Sequence, residues 1–395
     1  MKPRPSYILP LLVVSQFAGT SLWFAGNAIL PELKESLLLD KYAVSQITTA
    51  VQLGFITGTL VFAVFSIADR YSPSKIFFIS ACFASLSNLF IIWICHDANT
   101  LLVLRFFTGF FLAGIYPVGM KIASDWYEKG LGTALGYLVG ALVLGTAFPF
   151  LLKNRTFDLD WKTVLYCSSF FAFTGGLLIF LCGDGPNRIR NIAFRTTDIL
   201  KIFNSKKFRS SAFGYFGHMW ELYTFWGFLP VILGLYSLQN NQDLNIPVLS
   251  FIIIGSGSIS CVVAGYWSKK IGSTLTASFF LSLSGICCFL SPLMFYTPPT
   301  IFIAFLIIWG LAVTADSPQF STLVTKTVSN ELRGTSLTLV TSLGFAITVL
   351  SLFIIDRLYY SNFFFSNYKT FIVLGLGPLI GILAMIPLFR THPKI

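Results

Sequence analysis

The chain has 395 residues, 55% of them hydrophobic and only 11% charged, with 27 Lys and Arg against 16 Asp and Glu and a mean hydropathy of +0.76. A soluble domain carries about 25% charged residues, so this composition excludes a soluble globular protein and points to an all-α polytopic membrane protein. The net charge of +11 does not point to nucleic acid, because the Lys and Arg residues fall between apolar runs and alternate by side.

The apolar runs are about 20 residues long, the thickness of a bilayer core. In chain order they lie near 6–29, 44–68, 75–95, 98–122, 130–152 and 161–182, and after a polar stretch near 209–235, 246–268, 273–292, 298–324, 334–356 and 368–390. The pattern is six segments, a linker, and six more. The first run follows Lys2 and Arg4 in the manner of a signal peptide, but it continues too far, to Leu30, and no small-x-small cleavage site stands out. It therefore reads as a transmembrane helix that stays. It carries Gln16, Ser21, Trp23 and Asn27, and the second run carries Gln52. Such groups suit a water-filled pocket and serve equally as glue between helices.

The fourth run holds Arg105 about seven residues in, or ~10 Å deep at 1.5 Å per residue. A guanidinium at that depth costs at least ~2.5–3.5 kcal/mol unless it finds a partner or water. Two readings are open: Arg105 binds an anionic substrate or tunes a carboxylate, or it snorkels or pairs with backbone carbonyls. Tyr116 lies in the same run. Lys121 and Asp125, four apart, are placed to pair, with snorkelling of Lys121 as the plainer reading. Gly132, Gly136, Gly140 and Gly145 stripe the fifth run, a pattern for close helix packing.

The linker, 183–207, is basic through Arg188, Arg190, Arg195, Lys201, Lys206 and Lys207, with Arg209 following. Lys and Arg resist translocation, so the linker marks the cytoplasmic side and both termini fall there too. The domains expected are a bundle over 1–182, the linker, and a bundle over 208–395.

The seventh run is dense in Gly and aromatics, and contains His218, Trp220, Glu221 and Tyr223. That density predicts a broken, pocket-lining helix whose rings stack on an organic solute. Glu221 and His218 are three apart and share a face. A carboxylate at mid-depth suits a proton carrier. In the tenth run Asp316 is a second coupling residue, and Pro318 beside it weakens the helix where a cavity would tolerate freed carbonyls.

No HExxH, CxxC, GxSxG or Walker-type GxxxxGK[ST] pattern is present, which disfavours an ATP-driven pump and leaves an ion or solute gradient as the energy source. The His are His96, His218 and His392, and none has metal-ligand spacing with the seven Cys, which read as packing residues. No cofactor or metal is expected. His96-Asp97 is the one dyad that fits an interfacial lipid-modifying enzyme.

The punctuation of the chain is doubled. Gly109 and Pro117 in the fourth run recur as Gly310 and Pro318 in the tenth, roughly 200 residues on. Asp69-Arg70 and Lys269-Lys270 close the second and eighth runs. Gly132-Thr133-Ala134-Leu135 and Gly334-Thr335-Ser336-Leu337 open the fifth and eleventh, and Trp161-Lys162-Thr163 and Tyr368-Lys369-Thr370 the sixth and twelfth. The order is kept throughout, which argues for a duplicated membrane half. Asp316 has Ile115 as its counterpart, so the halves differ where a solute would be handled.

Arg105-x3-Gly109-x4-Gly114-x2-Pro117, with Trp126-Tyr127 and Gly132, resembles the fourth and fifth helices of the major facilitator superfamily, in particular branches that carry organic anions. Asp69-Arg70 with Lys75 resembles its loop between helices two and three. Gly265-x3-Lys269-Lys270-x-Gly272 resembles the second copy of that loop, and Trp161-Lys162 the start of helix six. The chain departs from the pattern at Phe65 and Ser72, where the family has Gly, and at Lys269, where it has Asp. The fifth run also lacks the Gly-Pro pair of drug/proton antiporters.

The resemblance implies twelve transmembrane helices as two pseudo-symmetric six-helix bundles rocking around a central site lined by helices one, four, seven and ten. Asp69, Arg70, Lys269 and Lys270 would serve as gates. The function expected is secondary active transport of a small organic solute, tilted towards anions by Arg105. Trp23, Asn27, Gln52, Arg105, Tyr116, His218, Trp220 and Tyr223 would bind the solute, and Glu221 and Asp316 would couple it to protons. The protein is expected in the plasma (inner) membrane as a monomer. The alternatives are an exporter of drugs or siderophore-like metabolites and, remotely, an integral membrane lipid-modifying enzyme.

Overall fold

The computed structural model describes residues 5–127, 131–154, 159–188, 202–328, 332–361 and 367–389. Of the basic residues named above, Lys2, Arg4, Arg190, Arg195 and Lys201 lie outside the described residues, as does His392; so does the side chain of Thr335. The chain forms two compact units, Met1–Phe194 and Arg195–Ile395.

The first unit contains α1 (Ile8–Thr20), α2 (Ala25–Ala28), α3 (Leu30–Leu37), α4 (Ala43–Val64), α5 (Ile67–Arg70), α6 (Pro73–Trp93), α7 (Ala98–Leu112), α8 (Tyr116–Trp126), α9 (Leu131–Leu152) and α10 (Trp161–Cys182). The second contains α11 (Lys206–Gln239), α12 (Ile246–Ile271), α13 (Ser273–Met294), α14 (Pro299–Ala315), α15 (Ser317–Lys326), α16 (Arg333–Tyr359), a 3-10 stretch (Asn367–Gly375) and α17 (Leu376–Phe389). Taking α7 with α8, α14 with α15 and the 3-10 stretch with α17 as single spans, eleven helices among the described residues are long and apolar enough to cross a membrane, and α1 is a shorter apolar helix.

The ends of these helices are set locally. Ser72, Asp97, Ser205 and Asn245 each accept a hydrogen bond from the N–H three residues on, capping α6, α7, α11 and α12 where an apolar run begins. Gly183 and Gly272 take positive φ (+78° and +87°) and stop α10 and α12, a conformation that costs glycine little.

The doubled punctuation becomes doubled packing. In the first unit α4 packs on α7, α6 on α7 and α10, and α1 on α9 and α10. In the second, α12 packs on α14, α13 on α14 and α17, and α11 on α16 and α17, which are the same partners in the repeated order. The glycines repeat their job as well. A Cβ on Gly109 would lie 1.9 Å from the Val51 carbonyl oxygen, and one on Gly310 would lie 2.3 Å from that of Ile253. Each lets the fourth span of its half touch the backbone of the second.

Both Gly/Pro spans break just before the proline. In the first unit the break is at Ala113–Ile115, and in the second it is at Asp316. Pro318 has no N–H to offer the Thr314 carbonyl, and the Cys261 thiol donates to it instead (3.3 Å).

Two expectations need correction. The seventh span is not broken: α11 runs 34 residues without interruption, because Gly214 and Gly217 serve close contact rather than a hinge. A Cβ on Gly217 would lie 2.3 Å from the Gly377 carbonyl oxygen. The break falls in the first span, at Ser21–Phe24. The glycine stripe of α9 also divides. Gly145 abuts the Phe17 carbonyl and Thr20, while a Cβ on Gly132 or Gly136 meets no described atom within 4 Å.

Gly54→Ala and Gly109→Ala should therefore each destabilise the protein by about 1–3 kcal/mol through overpacking. Gly132→Ala and Gly136→Ala should melt with the wild type. Thermal unfolding of the detergent-purified variants checks this, and equal melting of all four would refute the close-contact account.

Candidate functional site

In the first unit the functional side chains gather around the break after α1. The Thr20 hydroxyl donates to the Gln16 carbonyl (2.8 Å) and the Ser21 hydroxyl to that of Ala18 (2.7 Å), which closes the last turn of α1 by side chains. The next carbonyls, those of Leu22 and Trp23, then have no helical donor, and Arg105 supplies one. Its Nη1 donates to Leu22 O (3.2 Å) and Asn88 Oδ1 (3.4 Å), and its Nη2 to Leu22 O (3.3 Å) and Trp23 O (2.5 Å). Arg105 is completely buried, and Gly26 leaves room for the guanidinium, since a Cβ there would be 3.0 Å from Nε. Asn88 is held in turn by the Leu165 carbonyl and the Ser169 hydroxyl. Arg105 thus caps an interrupted helix with both Nη atoms.

Facing the same break, α4 presents Thr48, Gln52 and Phe55, at i, i+4 and i+7, on one side. Asn27 Nδ2 donates to Thr48 Oγ1 (2.7 Å), and the Trp23 and Phe55 rings lie 4.9 Å apart. Gln52 sits between these contacts, completely buried, and neither its Oε1 nor its Nε2 has a hydrogen-bond partner. Asn27 Oδ1 is likewise without one, as is the amide of Gln16, whose Oε1 lies against Gly119 of α8. Tyr116 opens α8 directly after the break in the fourth span.

In the second unit His218 and Glu221 share a face of α11 but do not pair with each other. His218 Nδ1 is 2.9 Å from Asp316 Oδ1, both residues completely buried, so this contact ties α11 to the break between α14 and α15. Glu221, also completely buried, accepts from Trp309 Nε1 (2.6 Å) and Cys288 Sγ (3.3 Å) at Oε1 and from Ser284 Oγ (2.9 Å) at Oε2. The Trp309 ring stacks on Phe225, with centroids 4.3 Å apart. Tyr223 joins Trp226 and Phe345 in an aromatic layer. Trp220 faces away from this group and donates its Nε1–H to the Val373 carbonyl (3.2 Å), pinning α11 to the 3-10 stretch. The three donors to Glu221 come from α13 and α14. Sequence reasoning passed over them, having read the cysteines as packing and given Trp309 no role.

A third cluster surrounds the loop after α4. Asp69 Oδ1 pairs with Lys121 Nζ (2.7 Å), so Lys121 takes a partner from α5 and not Asp125 on its own helix. Asp184 accepts from the Ser72 hydroxyl (2.8 Å), the Ser74 N–H (3.0 Å), the Ser74 hydroxyl (2.8 Å) and Arg188 Nη1 (3.0 Å). Arg188 Nη2 donates to the Tyr71 carbonyl (2.6 Å), and the Asn187 N–H to that of Asp125 (3.1 Å). Residues 183–188, the expected start of the linker, are therefore stapled onto the first unit. Burial acts to raise the Asp184 carboxyl, but the hydrogen bonds from Ser74 and Ser72 and the Arg188 charge outweigh it and hold Asp184 below the usual carboxylate range. Lys269 and Lys270 lie in the last turn of α12, with Lys269 Nζ 4.9 Å from the centre of the Tyr266 ring. Asp97 of the His96-Asp97 dyad caps α7 through the Thr100 N–H (2.9 Å) and hydroxyl (2.8 Å).

With this geometry in view, known proteins give a frame. The family model of the Major Facilitator Superfamily matches residues 11–352. The uncharacterized protein Cj0987c of Campylobacter jejuni subsp. jejuni serotype O:2 is 22% identical over 233 residues, 57% of this chain and 70% of that one. Among solved structures, the human organic anion transporter MFSD10 (TETRAN) superposes with a TM-score of 0.72 at 14% identity, covering 97% of this chain and 100% of that one. A bacterial homolog of the human lysosomal transporter Spinster, solved in an inward-facing and occupied conformation, also gives 0.72, at 13% identity over 99% of this chain and 98% of that one. At such identities the likeness is one of fold.

Proposed function

The chain belongs to the Major Facilitator Superfamily, with its all-α twelve-span fold, and on that premise we propose that it is a secondary active transporter of a small organic solute, working by alternating access and coupled to protons. The observation that carries the coupling is the set of completely buried carboxylates in the second unit. Among the described residues, the only titratable side chain paired with Asp316 is His218, and Glu221 is met by neutral donors alone. An unpaired carboxylate buried in a membrane span is costly, and taking up a proton is the direct way to neutralise it. Glu221 and the His218–Asp316 pair are accordingly the proton-handling groups. His218 moves from the solute-binding set to this one, and Trp220 leaves the solute-binding set for a structural place.

The sequence tilted the solute towards anions on the first of two readings of Arg105, anion binding, the second being pairing with backbone carbonyls. Both of its Nη atoms are engaged by carbonyls and Asn88, and only Nε is without a partner, so the capping role weakens that tilt. Trp23, Asn27, Gln52, Tyr116 and Tyr223 remain the proposed solute contacts. Asp69, Arg70, Lys269 and Lys270 are the proposed gates, Asp69 through its ion pair with Lys121. The proposed setting is the plasma (inner) membrane, as a monomer with both termini cytoplasmic. The lipid-enzyme alternative loses its support, since Asp97 serves as a helix cap.

The test is reconstitution in liposomes with a pH-sensitive dye inside and an imposed proton gradient. Addition of transported solute is expected to move protons, and the gradient to drive solute accumulation. Failure of a broad solute panel to move under any imposed gradient would overturn the transporter reading. Solute movement without protons would overturn the coupling alone.

A further inference from the structure

Gln52 poses a problem that packing does not solve. A buried amide normally has hydrogen-bond partners, and one left without them in a native fold calls for an explanation. Gln52 is 0% exposed with both amide atoms unpartnered, and Asn27 Oδ1 beside the same break is unpartnered too. The neighbours of Gln52 on its face of α4 fix its surroundings. One turn before it, Thr48 accepts from Asn27, and one turn after it, Phe55 packs on Trp23.

We propose that Gln52 and Asn27 form the hydrogen-bonding subsite for an uncharged solute, one that presents a hydroxyl or carboxamide on an apolar body. The class follows from the open atoms. Gln52 Oε1 and Asn27 Oδ1 accept, and Gln52 Nε2 donates. A hydroxyl or carboxamide answers both kinds, giving a proton to an oxygen and accepting one from Nε2. A carboxylate would set its charge against two carbonyl oxygens, and the nearby guanidinium of Arg105 has both Nη atoms already engaged by Leu22, Trp23 and Asn88, leaving only Nε without a partner. An ammonium would find no carboxylate among the described contacts of the break and this face of α4, which are made by Trp23, Asn27, Thr48, Phe55, Asn88 and Arg105. The Trp23–Phe55 pair supplies the apolar wall. The subsite is closed in this structure, so solute enters when the α1–α2 break moves off α4. The proposal rests on the transporter reading for its physiological meaning and on the geometry for its chemistry.

The experiment uses four probes with one aromatic body: benzamide, benzyl alcohol, benzoate and benzylammonium, each titrated against the detergent-purified full chain with melting temperature as readout. Benzamide and benzyl alcohol are expected to raise the melting temperature of the wild type, and the two ions are not. Gln52→Leu replaces an unpartnered amide with an apolar side chain of similar size. Without ligand it should melt at or above the wild type, and it should bind benzamide about tenfold more weakly or worse.

A Gln52→Leu variant that melts below the wild type assigns Gln52 a structural hydrogen bond and overturns the proposal. So does stabilisation of the wild type by benzoate or benzylammonium, or by none of the probes. Equal benzamide binding by wild type and Gln52→Leu also overturns it. Intact binding of uncharged probes by a protein that moves nothing in liposomes would instead sink the transporter reading and leave the subsite standing.

Discussion

Arg105→Ala is expected to lower the melting temperature by on the order of 10 °C, because the guanidinium is the cap of a broken helix. Its removal leaves the carbonyls of Leu22 and Trp23 buried without a donor and takes one partner from Asn88. Each such group left unsatisfied costs about 1–3 kcal/mol, and the total expected is about 3–5 kcal/mol. Arg105→Lys should recover little. An ammonium is a point donor on a different stem and cannot span two carbonyls and an amide as the planar fork does. A substrate-binding arginine would behave in the opposite way, with normal melting and failed binding. Thermal unfolding of Arg105→Ala and Arg105→Lys separates the two, and wild-type melting of the alanine variant would refute the capping role.

Arg105 also shows where sequence reasoning stops. Its depth in the membrane was legible from its distance into an apolar run, and so was its need for a partner. The partner was not, because it is backbone exposed by a break at Ser21–Phe24, a stretch with neither Pro nor Gly. The signal there is the pair of hydroxyls, Thr20 and Ser21, that satisfy the last turn of α1 from the side. The seventh run misled for the converse reason. Glycine marks both hinges and close contacts, and only the position of α17 against Gly217 decides between them.

The repeat was the most legible feature. Gly109 and Gly310 seat equivalent helices in each half, and Ile115 and Asp316 occupy equivalent breaks. Pairings across segments were mostly hidden. Lys121 had a same-helix acid four residues away, yet Asp69 from α5 holds it, since an i,i+4 pair is worth only a few tenths of a kcal/mol and yields to a better-placed partner. The staple made by Asp184 and Arg188 lay unnoticed in a linker whose charges had been counted only to orient the chain.

The largest functional effect is expected at Glu221 and Asp316, and the two should fail differently. Glu221→Gln is close to a permanent copy of the protonated acid. The amide oxygen can still accept from Trp309, so the fold should survive. A carrier that cannot release a proton can still exchange solute for solute, but it cannot use a proton gradient. Gradient-driven accumulation in liposomes should fall by about tenfold or more, with counterflow exchange near the wild-type rate.

Asp316→Asn removes the acid from the 2.9 Å pair with His218 at the α14–α15 break, so it should impair accumulation and also lower the melting temperature. His218→Gln should do the same. If the two act as one unit, the double variant will be no worse than either single one, because the second substitution removes a partner already lost. Additive losses in stability and accumulation would show that His218 and Asp316 act separately. A Glu221→Gln protein that accumulates solute normally would remove Glu221 from proton coupling altogether.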